Sequence, residues 1–190
     1  MRLLIADSDL LVPADAWHCT IASPDGVWPA GVTPGASVEV RMGAEPVMVG
    51  RIDESSHQID HRGHVYHLSG RDGAAALVDC SAPLFTRRQA TLADFIPALV
   101  RAMGITKHRV DAAEARRREK ISVEPGDTAW DALVHVAEAN GLWPWFDPDG
   151  TLVVGGPKYD APEQATLILA RSNVATSRHL TNVESLDLRR

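Results

Sequence analysis

The sequence predicts an α+β fold with a β-rich first part and an α/β second part. Residues 1–85 carry short alternating segments separated by glycine and proline turns, a pattern typical of a small antiparallel barrel or sandwich. After Pro83 the hydrophobic period changes to that of amphipathic helices. Residues 121–154 then have the pattern of a strand, a helix and a hairpin, so the two parts differ in their architecture.

The β-rich part contains four candidate strands. In one of them Val38, Val40 and Met42 alternate with polar residues, which indicates a strand that is buried on one side. Pro24-Asp25-Gly26 is a turn signal, and the proline- and glycine-rich segment 28–35 is expected to be a loop. Its Trp28 is expected to pack locally, with an exposed apolar loop at a subunit contact as the alternative. The predicted strands are Trp17–Ser23, Val38–Met42, Glu45–Ile52 and Gly63–Gly70.

The last two of these strands form a predicted hairpin with a long polar loop between Ile52 and Gly63. After the second strand, Gly70 lets the chain leave the sheet, and the alanine-rich residues up to Asp79 predict a short helical turn before Cys80.

The second part begins with an amphipathic helix. Thr91 and Asp94 have the spacing of a capping box, and apolar residues follow at helical spacing until Gly104. Pro97 removes one hydrogen bond inside this helix and is expected to kink it. The apolar face consists of Leu92, Phe95, Ile96, Leu99, Val100 and Met103.

A second unit follows between residues 121 and 154. A short strand at 121–123 leads through a turn to Thr128, which opens a second capping box with Asp131. The helix after it ends at Asn140-Gly141, and Asp147-Pro148-Asp149-Gly150 is a strong hairpin signal. Beyond a linker at 155–162, further strands are predicted at Ala165–Leu169 and Val183–Leu188.

Three segments carry a family resemblance: Gly50-Arg51-Ile52-Asp53, Leu68-Ser69-Gly70-Arg71-Asp72 and Leu77-Val78-Asp79-Cys80-Ser81-Ala82. Their order and their residues resemble those of the baseplate-hub proteins of Mu-like contractile phage tails. These proteins are related to the hub part of type VI secretion spike proteins. The unit that begins at Gly126-Asp127-Thr128 is similar to the central domain of the same family. The signature residues are Gly50, Ile52, Asp53, Ser69, Gly70, Arg71, Leu77, Asp79, Cys80, Ser81, Gly126, Asp127 and Thr128.

The resemblance implies a division into a first hub β-barrel at 1–85, an α/β central domain at 86–160 and strands at 161–190 that lead toward a second barrel. It covers about the first half of the family pattern. It implies a structural virion protein, a homotrimeric ring that connects the hexameric tail tube to the central spike, with DNA only in passage. Such a protein is located in the tail baseplate, is assembled in the cytoplasm of the bacterial host, and has no enzymatic activity and no cofactor.

Residues 123–142 also resemble a LysM module, which leaves a peptidoglycan-binding function as the alternative. This alternative would involve Trp130 or Trp143 in glycan binding.

Composition limits the other classes of function. The net charge of −6 argues against a nucleic-acid reader, which needs a basic face. No apolar run approaches the roughly 20 residues that a membrane-spanning helix needs, so membrane insertion is not expected. Cys19 and Cys80 lack the spacing of a zinc site and are both expected to be buried and unpaired.

Several side chains invite a chemical interpretation that their pattern does not favour. His57, His61, His64 and His67 are close in sequence, but strand alternation places His64 and His67 on opposite faces. No metal site is therefore expected. Catalytic sets such as Asp53, His64 and Ser69, or Asp79 and Ser81 with a distant histidine, lack any supporting motif.

Two other groups of residues remain open. Arg116-Arg117-Arg118, flanked by Glu114 and Glu119, is expected to be a solvated face rather than a phosphate contact. Trp143 and Trp145 share one face of their strand, and this face is either core or a subunit interface.

Overall fold

The computed structural model describes residues 3–9, 11–23, 26–28, 30–61, 63–111 and 117–156. Residues up to Gly156 belong to one compact unit. Its strands are β1 (Leu3–Asp7), β2 (Ala16–Ser23), β3 (Ser37–Met42), β4 (Glu45–Asp60), β5 (Gly63–Asp72), β6 (Thr86–Ala90), β7 (His108–Asp111), β8 (Arg118–Ser122), β9 (Trp143–Phe146) and β10 (Leu152–Gly155), and its helices are α1 (Ala74–Asp79), α2 (Leu92–Val100) and α3 (Ala129–Glu138).

The first five strands form one antiparallel sheet in the order β1-β2-β5-β4-β3. The sheet curls into a half-barrel whose edge strands are β1 and β3. Its concave side encloses a small core of five buried side chains: Trp17, Val40, Met48, Ile52 and Leu68. The loop residue Trp28 packs against this core, as expected, and its Nε1 donates a hydrogen bond of 2.6 Å to the carbonyl of Val32.

The predicted long loop between Ile52 and Gly63 is wrong. Strand β4 continues through a bulge at Asp53 and pairs with β5 residue by residue up to Asp60. Along this outer half of the hairpin β2 still flanks β5, as far as Ser23 opposite His64, whereas Glu54 and Ser56–Ile59 of β4 are exposed. Because β3 pairs with β4 only as far as Arg51, the outer half of β4 lies at the edge of the sheet and its residues are mostly polar on both faces, so the alternation that marks a half-buried strand is absent.

The second part packs its helices and short strands around a larger core. Strand β10 lies between β7, to which it is parallel, and β9, to which it is antiparallel. Strands β6 and β8 form a separate antiparallel pair. The buried cluster of this part contains 18 residues, and the apolar faces of α1, α2 and α3 all contribute to it.

Both predicted capping boxes are confirmed. The backbone N–H and Oγ1 of Thr91 donate to the Asp94 carboxylate at 3.0 and 2.8 Å. Thr128 makes the equivalent bonds to Asp131, and its Oγ1 accepts the Asp131 N–H at 3.1 Å. The predicted face of α2 is buried from Leu92 to Val100, and the chain then tightens into a 3₁₀ turn that ends at Gly104 with a positive φ.

The α+β class, with an antiparallel β-domain first and a strand-helix-hairpin unit later, is confirmed. Three strands were not anticipated from the sequence: β1, β6 and β7. The strands predicted at 165–169 and 183–188 and the segment 161–190 lie outside the described residues. Among the helices that the structure describes, none is long and apolar enough to cross a membrane.

Candidate functional site

The signature residues lie around one region, which we call the junction. It consists of the bulged middle of β4, the end of β5, helix α1, the segment Cys80–Ala82 and the turn Gly126–Thr128 that opens α3. The junction therefore joins the five-stranded sheet to the helical part.

Two glycines of the junction let neighbouring strands approach closely. A Cβ at Gly50 would collide with the carbonyl oxygen of Arg71 on β5, and a Cβ at Gly70 would collide with that of Arg51 on β4. The same Cβ at Gly70 would lie 2.8 Å from the ring of Trp17 in the small core. A side chain at either position would separate β4 from β5 or displace the core tryptophan.

The bulge at Asp53 turns its carboxylate toward Arg71. Ile52 lies opposite Gly70 and Glu54 lies opposite Ser69. Asp53, between them, is therefore the extra residue of the bulge. Its Oδ2 accepts a bond of 2.7 Å from Arg71 Nε, while the other end of the guanidinium donates to both Asp79 oxygens at 3.2 and 2.6 Å. Arg71 thus bridges the bulge to the last turn of α1, and its guanidinium lowers the pKa of Asp79.

Asp72 is the buried charged residue of the junction, with 8% of its surface exposed. Its Oδ1 accepts the Ala74 N–H at 2.9 Å, which fixes the start of α1, and its own N–H donates to the Asp15 carbonyl. Burial raises the pKa of this carboxyl to about 7, against the smaller opposing effect of the Ala74 hydrogen bond. The nearby charge of Asp15 raises this pKa further, and the charge of Arg71, whose guanidinium is bound to Asp53 and Asp79, lowers it by less.

Two signature segments that are distant in sequence, Cys80–Ala82 and Gly126–Thr128, meet after α1. Ser81 forms an isolated antiparallel bridge with Thr128. The Cys80 carbonyl accepts the Ala129 N–H, and the Ala82 N–H donates to the Asp127 carbonyl, both at 2.9 Å. Gly126 has a φ of +100°, which favours glycine at this turn. Leu77 of α1 is fully buried below this contact, in the large core.

Cys80 corrects one expectation. It caps the C-terminus of α1 with an exposed, free side chain, whereas both cysteines were expected to be buried. The reason is that α1 turns its apolar side, Ala74 and Leu77, to the core and leaves its C-terminal end at the surface. Cys19 is partly buried in β2.

The histidines do not converge on one point. His57 Nε2 and His64 Nδ1 are hydrogen-bonded at 3.0 Å, and the His57 ring stacks on Tyr66 with centroids 4.3 Å apart. His67 lies on the other face, where Nδ1 is 3.3 Å from the Thr20 hydroxyl, and His61 is exposed at the turn. Within the described ranges, no three His, Cys, Asp or Glu side chains are grouped so as to hold a metal ion.

The catalytic sets considered above are not assembled either. Asp53 is bound to Arg71, and His64 is bound to His57 in the outer half of the β4–β5 hairpin. Ser69 lies five residues along β5 from His64, about 17 Å in an extended strand. Asp79 is paired with Arg71, and Ser81 belongs to the bridge with Thr128. The junction thus brings together structural contacts and not a nucleophile with a base.

The tryptophan pair and the arginine run also have defined places. Pro144 points into the core, so Trp143 and Trp145 lie on the outer, partly buried face of β9, and Trp145 Nε1 donates to Asp147 at 2.9 Å. Arg118 begins β8 and its guanidinium donates to the Ala139 carbonyl, while Arg116 lies outside the described residues. The sequence did not indicate that Arg88 and Lys120 lie opposite each other, because β6 and β8, which carry them, have no apolar alternation.

Comparison with known families assigns both parts of the structure. Residues 4–72 match the family described as Mu phage baseplate assembly protein GpP-like, N-terminal. Residues 74–156 match the family described as baseplate hub protein gp44-like, second domain. The second match includes residues 123–142, so the LysM-like segment is part of that domain and the peptidoglycan-binding alternative is unsupported. No curated protein is similar enough to count as a match.

Solved structures agree with these families. A tail protein from Neisseria meningitidis MC58 is 39% identical, with a TM-score of 0.76, and the match covers 90% of this chain and 50% of that one. The 43 kDa tail protein of prophage MuSo2 from Shewanella oneidensis is 24% identical, with a TM-score of 0.68, covering 80% and 47%. The E. coli c3393 protein, described as a component of the type VI secretion system with structural similarity to the T4 bacteriophage tail proteins gp27 and gp5, shares the fold at 12% identity and a TM-score of 0.56, covering 81% and 48%. The chain therefore spans about half the length of these proteins.

Proposed function

Because its matches over residues 4–72 and 74–156 make this chain a member of the Mu-like phage baseplate-hub family, we propose that it is a structural part of the hub of a contractile phage or prophage tail. Copies of the chain associate into a ring, as a homotrimer in the assembled hub, that adapts the symmetry of the hexameric tail tube to that of the central spike. The observation that carries this proposal is the pair of baseplate-family matches on consecutive segments.

The role requires shape and contacts, and no bond is made or broken. The junction suits it, because Arg71 ties the sheet to α1 of the helical part, and the Ser81–Thr128 bridge ties the segment after α1 to the start of α3. We propose that the signature residues act in this way, as structural residues. The net charge of −6 is compatible with DNA passing such a ring without being retained.

The partners in this proposal are further copies of the chain, the tail tube protein and the spike protein. The location is the tail baseplate of the virion, after assembly in the host cytoplasm. The ring requires contacts between two different faces of neighbouring copies, because a closed rotational assembly is built from heterologous interfaces.

The experiment is the solution mass of the chain by light scattering across concentration, with a chimaera measured in parallel. In the chimaera this chain replaces the matching half of the Neisseria tail protein, whose remaining half supplies the part that this chain does not span. A trimeric mass for the chain or the chimaera is expected, and ring-shaped particles by electron microscopy would support it further. If both stay monomeric while the intact Neisseria protein associates, the hub proposal is overturned.

A further inference from the structure

We propose that the strand pair β6–β8, here called the basic ribbon, is one side of a head-to-tail contact between copies of this chain, and that β1 with the loop after it, here called the acidic edge, is the other side. This inference rests on the proposed function, since it names the surfaces through which copies would meet. It concerns exposed side chains that neither the fold nor the junction uses.

The basic ribbon holds an uncompensated pair of cations. Arg88 on β6 lies directly opposite Lys120 on β8, and both side chains are exposed. Like charges placed directly across two strands destabilise the pair. Among the residues that the structure describes, neither side chain has a hydrogen bond or an ion pair. An anionic surface from another molecule would remove this repulsion.

The other cations of the basic ribbon already have neighbours. Arg87 of β6 lies near Asp94. The pKa of Asp94 is lowered first by its bonds to Thr91 and further by the charges of Arg117, which precedes β8, and of Arg87. Arg118 donates to the Ala139 carbonyl. The unmet positive charge of the basic ribbon is therefore concentrated at Arg88 and Lys120.

The rest of the chain supplies a complementary charge. Strands β6 and β8 contain four basic residues and the single acidic residue Glu119, a net charge of +3. Because the whole chain carries −6, everything outside the basic ribbon carries −9. A DNA duplex is anionic along its whole length, so the acidic remainder would repel it, whereas a second copy of the chain can present a local acidic surface to the basic ribbon.

The acidic edge combines exposed carboxylates with exposed apolar side chains. Strand β1 is at the edge of its sheet, and Leu3 and Ile5 on its outer face are 53% and 49% exposed. Asp7 ends the strand, and in the loop after it Leu11 and Val12 are 70% and 61% exposed. Exposed apolar groups rimmed by charge are typical of interaction sites. Next to the basic ribbon, Leu84 is 69% exposed and offers an apolar counterpart.

The two surfaces cannot meet within one molecule. Pro13 and Asp15 of the loop after β1 line a cavity with Trp130, at the N-terminal end of α3. Arg118 of the basic ribbon instead contacts Ala139, at the C-terminal end of the same helix. Ten helical residues separate the two ends by about 15 Å. The acidic edge of one copy is therefore left to meet the basic ribbon of another, and this pairing repeated around a rotation axis gives the heterologous contact that a ring requires.

Charge reversal tests this pairing. Arg88→Glu alone and Asp7→Arg alone are each expected to weaken self-association more than tenfold, because each places like charges across the interface. The double variant, with both reversals, is expected to regain association to within about threefold of the wild type. Sedimentation equilibrium of the full chain at low and at 0.5 M salt measures this, and salt is expected to weaken the wild-type contact.

Two matched controls carry the same charge changes at exposed positions outside both surfaces, Arg101→Glu and Glu45→Arg. Both are expected to associate like the wild type, and a thermal melt of each variant checks that it folds. Rescue by the double variant is the outcome that a damaged fold could not produce.

Three results would overturn the inference. If the wild type associates and neither reversal matters, these surfaces are not the contact, although self-association in the proposed function stands. If the wild-type chain stays monomeric at every concentration, the contact does not exist, and the chimaera described above decides the proposed function separately. If Arg88→Glu changes only retention on duplex DNA, the basic ribbon is a nucleic-acid surface.

Discussion

The two parts of the described chain achieve burial in different ways. The core cluster of the five-stranded sheet contains five buried side chains, whereas that of the helical part contains 18. The sheet leaves most side chains of the outer half of β4 exposed, whereas the helical part covers its central strand β10 completely, so that Leu152, Val153 and Val154 are inaccessible. The larger cluster of the helical part should therefore contribute more hydrophobic stabilisation than the small core of the sheet.

The junction connects the two cores through one continuous stretch of the chain. Strand β5 passes from the small core into α1, whose Leu77 belongs to the large cluster. Asp72 and Arg71 lie at this passage, one buried and one bridging. Substitutions in the large core, in the small core and at the junction should therefore change the free energy of unfolding by different amounts. Four substitutions test this.

The largest effect is expected from Leu133→Ala in α3. Leu133 is 1% exposed within the large cluster, so its truncation leaves a cavity that the surrounding helices and strands cannot close. We expect a loss of about 4 kcal/mol in the free energy of unfolding, measured by urea denaturation. Leu84→Ala, at a position that is 69% exposed, is the control and should change stability by less than about 0.5 kcal/mol.

Leu68→Ala makes the same chemical change in the small core. Leu68 is 7% exposed in a cluster of five, where fewer neighbours lose contacts and the curled sheet can close on the space. We expect a loss of about 2.5 kcal/mol in the same urea experiment. Equal losses for Leu68→Ala and Leu133→Ala would contradict the contrast between the two cores.

Asp72→Asn tests the buried carboxyl at the junction. Its folded pKa of about 7 lies above the unfolded value near 3.9, so the wild type loses stability as the pH rises between these values and stays at the lower level above about 7. Asn keeps an oxygen for the Ala74 N–H and carries no charge. We expect the variant to match the wild type near pH 4 and to exceed it by about 2 kcal/mol at pH 8, since the adjoining cavity partly hydrates the carboxylate.

The measurement is urea denaturation of both proteins at half-unit steps of pH. A constant difference between variant and wild type at every pH would assign the effect to packing rather than to the charge of Asp72.

The smallest effect is expected from Arg71→Met, which keeps most of the apolar stem and removes the bridge. The side chains of Arg71, Asp53 and Asp79 are 33%, 39% and 53% exposed, so solvent screens the ion pairs and the loss should be at most about 1 kcal/mol at pH 7. The pKa of Asp79 is lowered in the folded state, so this contribution is present above the unfolded value near 3.9 and disappears as the pH falls further.

Arg109→Met is the matched control, because Arg109 also pairs with two carboxylates, Asp111 and Asp147, but entirely within the helical part. Hydrogen exchange of amides in β4 and β5 distinguishes the two variants. We expect faster exchange there for Arg71→Met alone, and equal exchange in both would remove the argument that Arg71 holds the sheet to the helical part.

The sequence determined those features that depend on near neighbours in the chain. Helices α2 and α3, their capping boxes at Thr91 and Thr128, and the hairpin between β9 and β10 follow from local hydrogen bonding and from the 3.6-residue period. The core strands β2, β3 and β5 were predicted because burial on one face imposes alternation. At the end of β3 the prediction is wrong for Met42, which is 77% exposed because a bulge follows Val40. The order of the signature segments also sufficed to recognise the baseplate family.

Only the tertiary structure decided the features that depend on distant pairing. The extension of β4 to Asp60, the strands β1, β6 and β7, and the parallel pairing of β7 with β10 carry no burial pattern of their own. The junction likewise arises because Ser81 meets Thr128 and the Asp53 bulge faces Arg71, contacts between residues that are separated by up to 47 positions. Such pairings are selected by the packing of the whole domain, which a local pattern of residues does not contain.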